Sequence, residues 1–280
     1  MKWQGNRRRW LQAVLGTAVT TGVYSWRLEP HWVEVVTRKL PIAGLDSGWI
    51  GKKLVQISDI HAGPFVDDRY LFSQFSRVSG WAPDLVVYTG DFVSRGWTLS
   101  DEQLRRSYRN LPRGKMGTYG VLGNHDFGRD WREDVLAARL ESQLRKFGIH
   151  VLRNETEDCR GLRVHGIDDL WGTQFNMAYS QNRISTDRPH IVLCHNPDVA
   201  DLPVWGDHEG WILSGHSHGG QCRLPWVTSL VLPVRNTRYV SGEYAVGGGR
   251  RLYINRGLGY LARLRFAARP EITVFELTRA

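Results

Sequence analysis

The sequence predicts an α/β protein built as a layered sandwich of two β-sheets. Two observations carry that prediction. Short apolar runs of the buried-strand type recur between residues 33 and 275, and in the first half they alternate with stretches of helical periodicity. In the second half the runs follow one another through Gly- and Pro-containing turns, which calls for a second sheet. A chain of 280 residues can bury a substantial core. No internal repeat or low-complexity linker divides it, so a single body over residues 32–280 is expected.

The chain opens on a leader, residues 1–28. It holds Lys2, Arg7, Arg8, Arg9 and Arg27 and no acid, so five of the nine net positive charges lie there. The body keeps only the remaining four, which does not force a nucleic-acid surface, and no obligate nucleic-acid partner is expected. Arg7 to Arg9 precede a weakly apolar run over residues 11–24 that contains Gly16, Thr17, Thr20, Thr21 and Gly22. Charged n-region followed by mild h-region is the pattern of an export signal. Arg7 and Arg8 before an aromatic residue and a leucine resemble the twin-arginine signal, with Trp10 where that motif usually has Phe. No clean small-x-small cleavage site precedes Trp26, and the run is short for a full span. Three settings follow: export to the periplasmic or extracytoplasmic face, an uncleaved anchor with the body on the cytoplasmic face of the inner membrane, or a peripheral amphipathic leader. The segment is expected to associate with membrane.

In the body, Val33, Val35, Leu40 and Ile42 read as a strand broken by Pro41 and Gly44. Further strands are expected at residues 54–58, 85–88, 117–122, 191–194, 211–214, 251–254 and 272–275. Helices are expected over residues 70–81, with Phe72, Phe75 and Val78 inward, and over residues 131–147, with Val135, Leu136, Leu140 and Leu144 inward. The three cysteines, Cys159, Cys194 and Cys222, are too few and too odd in number for a disulfide framework.

Five of these strands are followed at once by residues able to hold a metal. Asp59-Ile60-His61 follows the first, Gly90-Asp91 the second, and Gly123-Asn124-His125-Asp126 the third. His195-Asn196 and Gly215-His216-Ser217-His218 follow two later ones. Strand ends in α/β sheets open into a common crevice, so such residues can share a site. Asp-x-His and His-x-His put two donors on one side of an extended segment, and the flanking glycines permit close backbone approach. Singly, each is explained as a turn former or a hydrogen-bonded histidine; five in order are not. A structural zinc site from Cys194, His195, His216 and Cys222 matches no common spacing and leaves Asp59, His61, Asp91 and Asn124 idle.

Together these motifs resemble the calcineurin-like metallophosphoesterase superfamily from about residue 53 onward. With Gly166-Ile167-Asp168-Asp169, His218-Gly219-Gly220-Gln221 and Asn255-Arg256-Gly257-Leu258-Gly259, they look like its bacterial branch of membrane-linked or twin-arginine-exported phosphodiesterases. The resemblance implies a four-layer αββα sandwich, two mixed β-sheets flanked by helices. It implies one metal on Asp59, His61, Asp91 and His218, and a second on Asp91, Asn124, His195 and His216. It also implies His125 as the catalytic residue at the phosphate, with Asp126 as its orienter; on the residues alone, Asp126 serves equally as an N-cap of the next helix. Arg256 reads as a solvated arginine in preference to a phosphate contact.

The donors are carboxylate, amide and imidazole without thiolate, which suits two divalent ions among Mn, Zn, Fe and Mg. Such a pair, about 4 Å apart, clamps a phosphate and lowers the pKa of a bridging water to give hydroxide. The expected activity is phosphoester, chiefly phosphodiester, hydrolysis. The leader, the 12 Trp and the aromatic-basic stretch over residues 260–266 favour a small or lipid-linked substrate. A nuclease of the same superfamily and a catalytically inactive metal-binding scaffold are the alternatives. The first lacks a basic stripe, and the second is opposed by Asn124-His125 being intact.

Overall fold

Three of the apolar runs, β2 (Lys53–Ile57), β3 (Leu85–Thr89) and β4 (Gly117–Val121), lie side by side and parallel. Parallel neighbours need crossover connections. These are α2 (Asp68–Gly80) between β2 and β3, α3 (Asp101–Ser107) between β3 and β4, and α4 (Asp134–Lys146) between β4 and β5 (His150–Val151). The C-terminal strand β12 (Glu271–Arg279) enters antiparallel to β2, and β1 (Glu34–Ile42) runs parallel to β12 at the edge. The sheet order is β1-β12-β2-β3-β4-β5.

A second six-stranded sheet holds β6 (Glu155–Cys159), β7 (Leu162–Ile167), β8 (His190–Cys194), β9 (Gly210–Ser214), β10 (Gly242–Ala245) and β11 (Arg250–Ile254), in the order β10-β11-β9-β8-β7-β6. Its four central strands are parallel, and β6 and β10 close the edges antiparallel. The computed structural model describes residues 3–96, 100–178, 184, 187–223 and 232–280. Lys2 of the leader lies outside them.

Period-two alternation stacks the layers. In β3, Leu85 and Val87 join the apolar layer between the sheets, with Ile191, Leu193, Trp211 and Leu213 of the opposite sheet. Val86 and Tyr88 join the outer layer with Phe75 and Val78 of α2 and Leu140 and Leu144 of α4. Burying each of these side chains contributes roughly 1.5–3 kcal/mol. Across the second sheet, Val192, Ile212 and Ile254 pack with Val199, Val204 and Trp205, so a 3₁₀ turn (Pro197–Asp201) and loops cover that face among the described residues. Two mixed sheets flanked by helices are therefore the architecture, as expected.

Several local expectations shift. β1 continues through Pro41, which pairs with Thr278; a proline is tolerated there because β1 is an edge strand. The fourth helix starts at Asp134 rather than Trp131, and Val135 on its first turn is exposed. Phe72 is only half-buried and Leu71 takes the core position, with Arg109 over the Phe72 ring.

The leader forms α1 (Trp3–Val23), exposed over residues 7–20. From Ser25 the chain joins the body: Arg265 N donates to Ser25 O, and Glu29 accepts from Ala268 N. No described helix is long and apolar enough to cross a membrane.

Candidate metal centre

Asp59 and His61 follow β2, Asp91 follows β3, Asn124 and His125 follow β4, His195 follows β8, and His216 and His218 follow β9. All five are carboxyl ends of parallel strands, three in one sheet and two in the other, and they open into one crevice. Backbone hydrogen bonds lock the loops together. Asp59 N donates to Gly90 O (2.9 Å), His61 N to Asp91 O (3.0 Å) and Gly215 N to His195 O (3.1 Å).

The approach is too close for ordinary backbone. A Cβ on Gly90 would lie 2.5 Å from His195 Nδ1, and one on Gly215 would overlap Ser58 Oγ. Asp59, His61, Asp91, His216 and His218 all have positive φ, between 50° and 68°. Side chains rarely adopt that region, each instance costs on the order of 1–3 kcal/mol, and such strain clusters where function demands it.

The predicted ligands converge as two buried groups that can hold a metal ion: Asp59, His61, Asp91 and His218, and Asp91, His195 and His216. His61 Nε2 is 3.0 Å from His218 Nε2 and 3.5 Å from Asp91 Oδ2. His218 Nε2 is 3.3 Å from Asp59 Oδ1. His195 Nε2 lies 3.3 Å from Asp91 Oδ2 and 3.1 Å from His216 Nδ1. His195 Nδ1 donates to Thr89 O (2.7 Å), which fixes the ring and aims Nε2 into the cluster. Asn124 is buried beside these groups, and neither of its side-chain polar atoms has a partner among the described residues.

Burial dominates the electrostatics. It brings His61 and His216 down to about 3 and His218 well below the usual range, so all three rings are neutral and offer lone pairs. Burial raises Asp59 to about 7, with His195 opposing. His195 runs the other way. Burial works against its charge, but Asp91, Asp59 and Asp169 outweigh it and hold the ring well above the ordinary value. That negative potential favours positive charge at this spot, which a cation would supply.

The residues therefore fit a metal. The neutral imidazoles of His61 and His218 meet nitrogen to nitrogen, the Asn124 amide is without partners among the described residues, and the donor set has no thiolate. Cys194 and Cys222 turn instead to the carbonyls of Asn196 and Leu264, so the alternative zinc set does not assemble.

His125 stands at the mouth, the least buried of these residues at 9% exposure. Its backbone N–H donates to Asp91 Oδ1 (2.9 Å), its Nε2 is 3.9 Å from Asp91 Oδ2, and its Nδ1 has no partner among the described residues. Asp126 does not orient it. The Asp126 carboxylate accepts from Val93 N (3.0 Å) and Gly123 N (2.9 Å), which caps the 3₁₀ turn Asn124–Phe127 and ties it to the loop after β3. Nor is it the N-cap of α4, which is Glu133. Arg256 is neither solvated nor free for phosphate, because Glu271 (2.6 Å) and Glu34 (2.9 Å) pair with it.

Two residues carry more than the sequence reading assigned. Asp169, buried and raised to about 7 by burial, adds charge beside His195; its Asp168-Asp169 pair was the available signal. Arg265, fully buried, donates to the carbonyls of Arg256, Gly257, Gly259 and Ala268 behind Asp59 and His218. Nothing local marks it, since it lies in a stretch with two other arginines.

The calcineurin-like phosphoesterase family matches residues 52–220. The chain is 33% identical to the metallophosphoesterase YkuE of Bacillus subtilis (strain 168), over 97% of each chain. It is 31% identical to the phosphodiesterase YaeI of Escherichia coli (strain K12), over 97% of this chain and 99% of that one. It is 28% identical to the UDP-2,3-diacylglucosamine pyrophosphatase LpxG of Chlamydia trachomatis serovar D, over 94% of each. A family match over more than half of the chain, with relatives similar along nearly their whole length, shows that this chain belongs to the calcineurin-like phosphoesterases and is a metallophosphoesterase, a hydrolase.

Proposed function

We propose that the chain is a dinuclear phosphodiesterase acting on small or lipid-linked phosphoesters. One observation carries the dinuclear reading: Asp91 Oδ2 lies 3.5 Å from His61 Nε2 and 3.3 Å from His195 Nε2, so one carboxylate is common to both groups. Asp59, His61, Asp91 and His218 would hold one ion, and Asp91, Asn124, His195 and His216 the other. Two divalent ions among Mn, Zn, Fe and Mg supply Lewis acidity toward the phosphoryl oxygens and an activated water.

The chain's own residues set the rest. The Thr89 carbonyl holds His195 in one tautomer, and the strained loops keep five donors aimed inward without reorganisation. His125, at the mouth with no Nδ1 partner among the described residues, stabilises the phosphoester's charge and protonates the departing oxygen. Burial lowers its pKa, and Asp91 opposes that shift, as a bound anionic phosphoester also would.

A lipid-linked substrate is supported by the relative named for UDP-2,3-diacylglucosamine, and a phosphodiester by the relative named phosphodiesterase. A membrane setting, on the periplasmic or extracytoplasmic face, is supported by Arg7 to Arg9 and by Trp10, Leu11 and Leu15, which stand exposed on α1.

The test is to reconstitute purified protein with each metal, count bound ions, and assay bis(4-nitrophenyl) phosphate alongside a lipid-linked pyrophosphate. Two bound ions and metal-dependent release are expected. Fewer than about one ion under replete conditions, or full turnover in Asp91→Asn, overturns the reading.

A further inference from the structure

Beside His216 lies an open cleft that hydrolysis alone does not require. Trp131, Leu170 and Trp171 form its walls, with Arg132 among the lining residues, and its volume is about 780 Å³. Trp171 joins cleft to centre. Its ring stands nearly perpendicular to that of His216 (centroids 4.6 Å apart, planes at 83°) and stacks on Trp131 (5.0 Å, 26°). Arg95 lies 5.1 Å from the centre of the Trp131 ring. An unbroken row of rings thus runs from an arginine to a histidine of the candidate centre.

The wall is not relaxed packing. Trp131 has φ of +61°, an outlier for a bulky side chain. Its Nε1 is shielded from solvent and has no hydrogen-bond partner among the described residues. A tryptophan kept only to fill space has no reason to hold strained backbone and an unpaired donor together. A tryptophan that waits for a ligand group does, because a small turn of the ring brings the N–H to an acceptor.

We propose that this cleft is the subsite for one ester substituent of the substrate, and that it selects a large apolar or aromatic group bearing a hydrogen-bond acceptor over a small alkyl group. The inference rests on the reading of His216 and its neighbours as the phosphate-binding centre. A phosphoester held there and extending past His216 meets Trp171, which lines the cleft together with Leu170 and Trp131. These offer apolar contact with little rotamer entropy to lose. Arg132, exposed in the lining, faces solvent where an anionic or carbonyl-bearing extension would emerge.

Two diesters that share a 4-nitrophenolate leaving group test it: 4-acetylphenyl 4-nitrophenyl phosphate, whose ketone supplies the acceptor on a phenyl ester, and methyl 4-nitrophenyl phosphate. The metal-loaded protein is expected to favour the phenyl ester in kcat/KM. That preference should fall roughly tenfold in Trp171→Ala and by a smaller factor in Trp131→Phe, which keeps a ring and deletes the N–H. An unchanged preference in both variants, or equal loss on both esters, overturns the subsite. A second readout needs no turnover. In protein carrying ¹⁵N-labelled indoles, the Trp131 N–H signal, identified by its absence in Trp131→Phe, should shift with bis(4-acetylphenyl) phosphate and not with dimethyl phosphate. No shift with bis(4-acetylphenyl) phosphate also overturns the proposal. A selective shift with neither ester cleaved under any of the four metals sinks the hydrolytic reading and leaves the subsite standing. Cleavage of both esters without preference does the reverse.

Discussion

The Nε2 atoms of His61 and His218 lie 3.0 Å apart with their rings stacked, centroids 4.9 Å from one another, and both side chains buried. Both rings are neutral by burial, so at most one can donate to the other. Asp59 Oδ1 and Asp91 Oδ2 face the same space. Four donors around one point make an arrangement that is stable with a cation and strained without one. Metal should therefore stabilise the fold by mass action, by about 2.7 kcal/mol at a hundred times Kd. Thermal unfolding in excess Mn or Zn should occur at higher temperature than in chelator. Identical Tm in both conditions refutes this.

Asp91→Asn keeps the shape of the carboxylate common to both candidate groups and removes its charge. Asp91 is among the groups that hold His195 positive, and its Oδ1 accepts from His125 N. Bound metal should fall to one ion or fewer per chain. Turnover should drop by at least roughly a thousandfold, the scale of removing a principal electrostatic element. Metal analysis and kcat measured together check both halves.

His125→Ala should separate holding metal from moving a proton. His125 touches Asp91 through its backbone, which the substitution retains. Metal content should stay at the wild-type level while kcat falls by about 10²–10⁴. Loss of metal in this variant would make His125 a structural residue of the centre instead.

His165 and His208 should make the protein acid-sensitive independently of the metal. Burial, then the neighbouring His190 imidazole, brings each to about 3. The unfolded chain titrates near 6.5, so below that pH it binds more protons than the folded one. Their contribution is complete above about pH 6.5 and declines as pH falls toward 3, by at most about 1.4 kcal/mol per pH unit for each group. Denaturant unfolding in chelator at pH 7, 6 and 5 should show the decline, and His165→Gln should flatten it. An equal slope in the variant counts against the assignment.

Arg265→Met should destabilise the protein by at least about 3 kcal/mol, because it strands several buried carbonyls at once. Those of Gly257 and Gly259 matter most to the centre, since a Cβ on Gly257 would press on Asp59 and Gly259 N donates to Asp59 O. Denaturant midpoints measure it, and a change within about 0.5 kcal/mol, the range of an ordinary surface substitution, would show the guanidinium to be dispensable.

The candidate ligands were legible in the sequence because their signal is local. Asp59, His61, Asp91, Asn124, His195, His216 and His218 each follow an apolar run within a few residues, often beside a glycine. Strand type, strand end and donor can all be read within about ten residues. Val135 was misplaced for an equally local reason. The helix begins three residues later than its periodicity indicates, because Trp131 sits at positive φ and Glu133 is the N-cap.

Roles were another matter. Asp126 follows His125 directly, yet its carboxylate reaches back to Gly123 and across to Val93. Arg256 looks free in the sequence but meets Glu34, 222 positions away.

The order of strands and donors, and with it the α/β class, the family and the identity of the candidate ligands, belonged to the sequence alone. The tertiary structure decided which imidazole nitrogen faces the cluster, that one carboxylate serves both groups, and that Trp171 ties a cleft to His216. Those depend on contacts between segments tens to hundreds of residues apart. Side-chain aim and protonation follow from the partners and the burial that folding brings, which no local spacing contains.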